Sequence, residues 1–233
     1  MITYTAARIL SQVLDSQGDG TGTTNQLPAA KTVSGATNAT PIVVTATSHG
    51  YSDGDFVHIT GVVGNTACND LHVIANKTSN TFELTTPAGT NVAGNGAYSS
   101  AGAAHLCFAC KPAAGVKFCI HHLHGTAVDS VIDAKKYLYE TALTVGIKVQ
   151  VRQDTTLVHT LSPIPIQTGP HWQLGAVQTW FAEGAQDSPI TWSHSYDSCA
   201  VNLNGDADEF FVILHSDALA VDSQEISVIG EVL

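Results

Sequence analysis

Between Ser48 and Leu84 the chain alternates tight turns with short apolar segments so densely that an all-β unit is the reading it permits. Ser52-Asp-Gly-Asp55 is a turn, and Phe56-Val-His-Ile59 follows as a strand. Gly61 to Asn65 is a second turn, Leu71-His-Val-Ile74 a second strand, Ser79-Asn80 a third turn and Thr81-Phe-Glu-Leu84 a third strand. Asp, Asn and Ser mark the turns because their side chains hydrogen-bond the nearby backbone, and Gly marks them because it accepts positive φ. No residue in this stretch has a catalytic assignment. It predicts architecture, not chemistry.

The same rhythm continues, more widely spaced, through the rest of the chain. Leu106-Cys-Phe-Ala-Cys110 and the run from Val116 to His124 are apolar-rich strands split by a Lys-Pro-Ala-Ala-Gly turn. Ile147, Val149 and Val151 alternate with Lys148, Gln150 and Arg152, the period of a half-buried strand. Further strands are expected at Ile190 to Trp192, Ala200 to Leu203, Glu209 to His215 and Gln224 to Gly230. Ile2 to Leu14 reads as one or two strands, with a helical turn over Ala6 to Leu14 as the alternative. Asp133 to Leu143, opening on an Asp cap, predicts one short helix. Together these predict an all-β fold: a jelly-roll-like antiparallel β-sandwich with one short helix, carrying an inserted small β-barrel-like module. The module spans residues 34–102, flanked by Gly/Ala/Ser/Asn-rich joins, and the framework comprises 1–33 and 103–233.

Charge narrows the partners. The chain of 233 residues carries a net charge of −11 with nine Lys and Arg, which argues against nucleic acid, whose phosphates need clustered cations. Only 12% of residues are charged, about half the usual share, which suits a subunit that covers much of its exterior with neighbours. No run approaches the length of a membrane-spanning helix, and Met1-Ile-Thr-Tyr-Thr5 lacks the basic and apolar regions of an export signal. Residence in a cytoplasm, followed by release in a particle, is the expectation. Five cysteines without an export signal predict reduced, partly buried thiols.

With residues 34–102 set aside, a longer order of motifs emerges. Gly18-Asp-Gly-Thr-Gly22 leads into Pro112-Ala-Ala-Gly-Val-Lys-Phe-Cys-Ile-His-His-Leu-His124, then Ala127-Val-Asp129, Asp133-Ala-Lys-Lys-Tyr137 and Leu143-Thr-Val-Gly-Ile-Lys-Val149. Pro165-Ile-Gln-Thr168, Trp172, Leu203-Asn-Gly-Asp206 and Asp208-Glu-Phe-Phe-Val-Ile213 complete it. This order resembles that of a widespread group of tailed-bacteriophage virion proteins with a GDGTG loop near the start and a late DGD turn before an apolar strand. Lys136-Tyr-Leu-Tyr139 departs from the Tyr-Gly pair usual there. The 48–84 stretch likewise resembles a small module that recurs as an insertion in such proteins. The resemblance implies a non-enzymatic structural component of a virion, assembled in the bacterial host cytoplasm. A capsid decoration or cement subunit, forming a homotrimer and contacting the major capsid protein or other virion proteins, is the leading form. A neck, tail or fibre-adaptor protein and a host-glycan-binding module are the alternatives.

Candidate chemistry is sparse. Cys107-x-x-Cys110, Cys119 and His121, with His122 and His124 beyond, carry zinc-type donors. A second knuckle is absent, and adjacent strand residues face opposite ways, so buried thiols and surface histidines are the preferred reading. Asp15 and Asp19 echo a calcium loop whose twelfth position is Gln26 instead of the bidentate Glu, and Asp206 and Asp208 form a second acidic turn. Turn formation explains both. There is no nucleophile elbow, His-Glu-x-x-His, phosphate loop or dinucleotide fingerprint. Trp172, Trp180, Trp192 and Tyr196 cluster late and suit sandwich packing or a subunit boundary before a sugar platform. The sequence thus predicts a protein with no catalytic residue, no metal and no cofactor.

Overall fold

The structure, a computed structural model, describes residues 8–14, 30–128, 147–163, 178–179, 190–195, 201–215 and 223–233, with side chains over 30–121, 150–159, 201–214 and 230–233. The strands are β1 (Arg8–Leu14), β2 (Lys31–Thr32), β3 (Gly35–Ala36), β4 (Val43–Thr45), β5 (Phe56–Thr60), β6 (Leu71–Ala75), β7 (Thr81–Thr85) and β8 (Ala103–Cys110). They continue with β9 (Lys117–Val128), β10 (Ile147–Gln153), β11 (Thr156–Pro163), β12 (Gln178–Thr179), β13 (Ile190–Ser195), β14 (Val201–Asn204), β15 (Glu209–His215) and β16 (Ser223–Val232). Every pairing between them is antiparallel. The chain is all-β, as its turn-and-strand rhythm predicts. The expected helix at Asp133 to Leu143 and the GDGTG loop lie outside the described residues.

Two sheets result. One runs β1-β16-β9-β13-β12, with β14 also paired to β9. The other is ten-stranded, in the order β11-β10-β15-β8-β5-β6-β7-β4-β3, with β2 on β8. They meet where β14 lies against β15 and β1 against β8.

The first turn and strand form as the sequence dictates. Gly54 takes φ 90, the Asp55 amide donates to the Ser52 carbonyl at 3.1 Å, and the Ser52 amide donates back to Asp55 Oδ2 at 2.7 Å. Strands β5 and β7 then alternate partly exposed and buried positions. Their inward residues (Val57, Ile59, Phe82, Leu84) join Ile42, Val44, Ile74 and Ala104 in one core. Residues 31–36 close the unit on itself. β2 pairs with β8 and β3 with β4, so this short run stitches the two ends of the module's sheet together. Tyr98 Oη fixes the stitch by donating to the Val33 carbonyl at 2.9 Å. The core of the unit therefore reaches Val33 on one side and Ala104 on the other.

β15 is different. Phe210, Phe211, Val212, Ile213 and Leu214 are all buried, although alternate residues of a strand face opposite ways. A strand covered on both faces reads as a continuous apolar run, which is what Phe210 to Leu214 is.

Candidate functional site

Among the described residues three groups carry candidate chemistry: the seam joining module to framework, the acidic turn at 204–209, and the cysteines.

The seam is a shared strand. β8 pairs with β5 over Ala103 to Cys107 and with β15 over Phe108 to Cys110, so module and framework are halves of one continuous sheet. On one face Leu71, Cys107, Phe210, Val212 and Leu214 form a buried cluster that also receives Phe56 and Ala109. Phe56 and Phe210 stack with centroids 5.1 Å apart, tilted by 44°. Arg152 Nη1 donates to Asp70 Oδ1 at 2.9 Å, tying β10 to the residue before β6. Burial works to raise the Asp70 pKa, but the Leu71 amide and the Arg152 guanidinium outweigh it and hold the carboxyl below its ordinary value. His72, two residues on, is buried, and desolvation pushes its pKa down despite the neighbouring Asp70 charge.

The acidic turn is a second clasp on the same boundary. Asn204 Oδ1 accepts from the Asp206 amide at 3.2 Å, and Asp208 adopts the left-handed conformation at φ 54. Asp206 Oδ1 accepts from the Gly115 amide at 2.6 Å, and Asp208 Oδ1 meets Lys111 Nζ at 2.8 Å. Lys111 Nζ also donates to the Pro87 carbonyl, and Asp154 Oδ1 accepts from the Ala88 amide at 2.9 Å. The Asp154 amide in turn donates to the Asp208 carbonyl at 3.0 Å. Both candidate calcium ligands of this turn are thus engaged inside the protein. With an ammonium group seated against Asp208, the turn lacks the all-oxygen surroundings that calcium takes. Asp15 and Asp19 lie outside the described residues.

The four zinc candidates do not form one site. Cys107 and Cys110 are three residues apart on one strand and so point to opposite faces of β8, where no single ion reaches both. Cys107 joins the seam cluster, and burial pushes the Cys110 thiol up to about 11, so at neutral pH it is a protonated core side chain. Cys68, a free thiol in the module core, is likewise pushed up to about 11 by burial. Cys119 corrects the expectation of reduced thiols throughout: it is disulfide-bonded. Sequence spacing does not say which sulfurs the sheet brings together, so no signal in the chain marked it.

Cys119 and His121 do come together, with Glu231 as a third member that the sequence reading missed. Cys119 and Glu231 are directly opposite on β9 and β16. His121 is the extra residue of a β-bulge, since Ile229 pairs with His122 and Gly230 with Ile120. Gly230 is required there, because a Cβ at that position would lie 2.1 Å from the Cys119 carbonyl oxygen. His121 Nε2 sits 3.7 Å from Cys119 Sγ and 3.2 Å from Glu231 Oε1. Only the pairing of two distant strands reveals this trio.

The side chains of His122, His124 and Trp192 are outside those described, though β9 and β13 contain these residues; Trp172, Trp180 and Tyr196 lie outside the described residues altogether. No described helix is long and apolar enough to cross a membrane. No protein-family model matches the chain, and no curated protein shows significant similarity to it.

Proposed function

We propose that this protein is a non-enzymatic structural subunit of a bacteriophage particle, with a jelly-roll-like framework that decorates the capsid surface. The observation that carries the reading is the welded construction of module and framework, set beside the resemblance of the framework's motif order to tailed-phage virion proteins. A shared strand, a common buried cluster, the Arg152–Asp70 ion pair and the hydrogen bonds of Lys111 to Pro87 and of Ala88 to Asp154 hold the halves in one orientation. A subunit repeated across a lattice needs that fixity, because each copy must present the same faces to its neighbours. The low charged fraction supports it too, since a surface of hydroxyls, amides and apolar groups is readily covered by a neighbour. The partners in this reading are copies of the chain itself, as a trimer, and the major capsid protein.

Quantitative mass spectrometry of purified particles tests the proposal. Copy number comparable to that of the major capsid protein is the expected result. A count matching a single ring moves the protein to the neck or tail. Absence from particles sinks the structural reading.

A further inference from the structure

We propose that reducing the disulfide at Cys119 converts this corner of β9 and β16 into a binding site for zinc or a zinc-like divalent ion, with Cys119 Sγ, His121 Nε2 and a Glu231 carboxylate oxygen as ligands. The inference stands on the local geometry and does not depend on the particle reading.

One atom from each of Cys119, His121 and Glu231 lies within 4.8 Å of the others, the sole such group of three among the described residues. A tetrahedral zinc, with bonds of about 2.3 Å to sulfur and 2.0–2.1 Å to nitrogen and oxygen, separates S from N by about 3.6 Å and N from O by about 3.3 Å. The observed separations are 3.7 Å and 3.2 Å. His121 therefore stands at tetrahedral spacing from both partners, and the sulfur and the carboxylate lie within 4.8 Å of each other. A single ring nitrogen, Nε2, is the nearest to both the sulfur and the carboxylate, the arrangement that one ion bound among the three demands. A proton relay would instead use the two ring nitrogens in turn.

The backbone builds this convergence. Cross-strand pairing sets Glu231 beside Cys119, and the bulge re-aims His121 towards both. Side-chain exposures of 39% for His121 and 31% for Glu231 leave a path for the ion and room for water as a fourth ligand, while Cys119 is fully buried.

Redox state gates the site. A dithiol reductant supplies two electrons and two protons, the S–S bond breaks, the reductant becomes its own disulfide, and Cys119 emerges as a thiol. Metal binding then forms the S–metal bond and releases the thiol proton to solvent. Oxidation by a disulfide reverses the sequence and expels the ion. Disulfide and metal are alternative occupants of one sulfur.

Cobalt(II) added to the full chain tests this, before and after reduction by a phosphine that does not compete for the metal. The reduced chain is expected to bind one equivalent with a sulfur-to-cobalt charge-transfer band, and the oxidised chain to show none. Cys119→Ser should abolish the band, and His121→Ala and Glu231→Gln should each weaken cobalt binding at least about tenfold. Cys110→Ala should leave it unchanged. Far-UV circular dichroism of the reduced, metal-free chain should retain the β signal. Loss of that signal on reduction, no band in the reduced chain, or a band that survives both His121→Ala and Glu231→Gln overturns the proposal.

Discussion

The module and the centre of the framework solve burial in opposite ways. In β5 and β7 every second residue enters the module core and the others stay partly exposed, and only Phe56, at the start of β5, packs on the seam as well. In β15 five consecutive residues are buried, and the strand separates two interiors. One of those interiors is the seam cluster, which takes Leu71 and Phe56 from the module's own strands. On the other face Phe108 and Phe211 meet edge to face, with centroids 6.4 Å apart. A strand with one core tolerates loss of a neighbour better than a strand with two. The framework therefore depends on the module for one wall of its interior.

Removing residues 34–102 is the harshest way to break that comparison. The deletion strips β5 from β8 and uncovers Phe210, Val212 and Leu214, so the remaining framework is expected to be insoluble or to lose its cooperative melt. A soluble framework with a sharp thermal transition would show the two regions to be independent. Next in size are two single truncations. Phe82→Ala in the module core and Phe210→Ala at the seam should each cost about 3–5 kcal/mol, measured by denaturant unfolding. Both are expected to shift one common transition. Two separated transitions would mean that the shared strand does not couple the cores.

A smaller effect is expected from Arg152→Met. The guanidinium side chain is 13% exposed, but its partner Asp70 is 43% exposed and keeps much of its hydration, so a loss of about 1–2 kcal/mol is anticipated. Hydrogen exchange should localise the loosening to β6 and β10. The smallest effect is a pH dependence. Burial holds the His72 ring below its ordinary 6.5, with Asp70 opposing and Arg152 reinforcing that depression. The unfolded chain therefore takes up a proton that the folded chain resists. Stability is full above pH 6.5 and declines as pH falls from there towards the folded value, with a further loss at lower pH as Asp70 protonates. In His72→Gln the first decline should vanish and the second persist. An unchanged profile would move the titration elsewhere.

The unequal legibility of the two regions in the sequence has the same origin. Phe56 to Ile59, Leu71 to Ile74 and Thr81 to Leu84 are each within one residue of the observed strand, because local turns and period-two burial determine them. Glu209 to His215 matches β15 fully, because an apolar run that long has nowhere to go but between two layers. β11 had no such signal: it is an edge strand whose Leu157 and Val158 are exposed, and it ends at Pro163. The role of β8 was invisible for a different reason. Its sequence marks a strand, but its two sets of neighbours come from segments about fifty residues before it and a hundred after it, which no local pattern encodes. The Cys119, His121 and Glu231 trio was hidden likewise, since Glu231 sits more than a hundred residues from its companions and its place opposite Cys119 depends on register.

The two-fold use of β8 also determines how the molecule answers force. A pull on the module reaches the framework along the axis of one strand, where the hydrogen bonds of β8 to β15 and β5 lie across the direction of tension. Bonds arranged that way yield together instead of opening one after another from an end. Drag on the module should therefore be resisted by the whole ladder at once, and rupture should be abrupt, at a force set by the number of rungs.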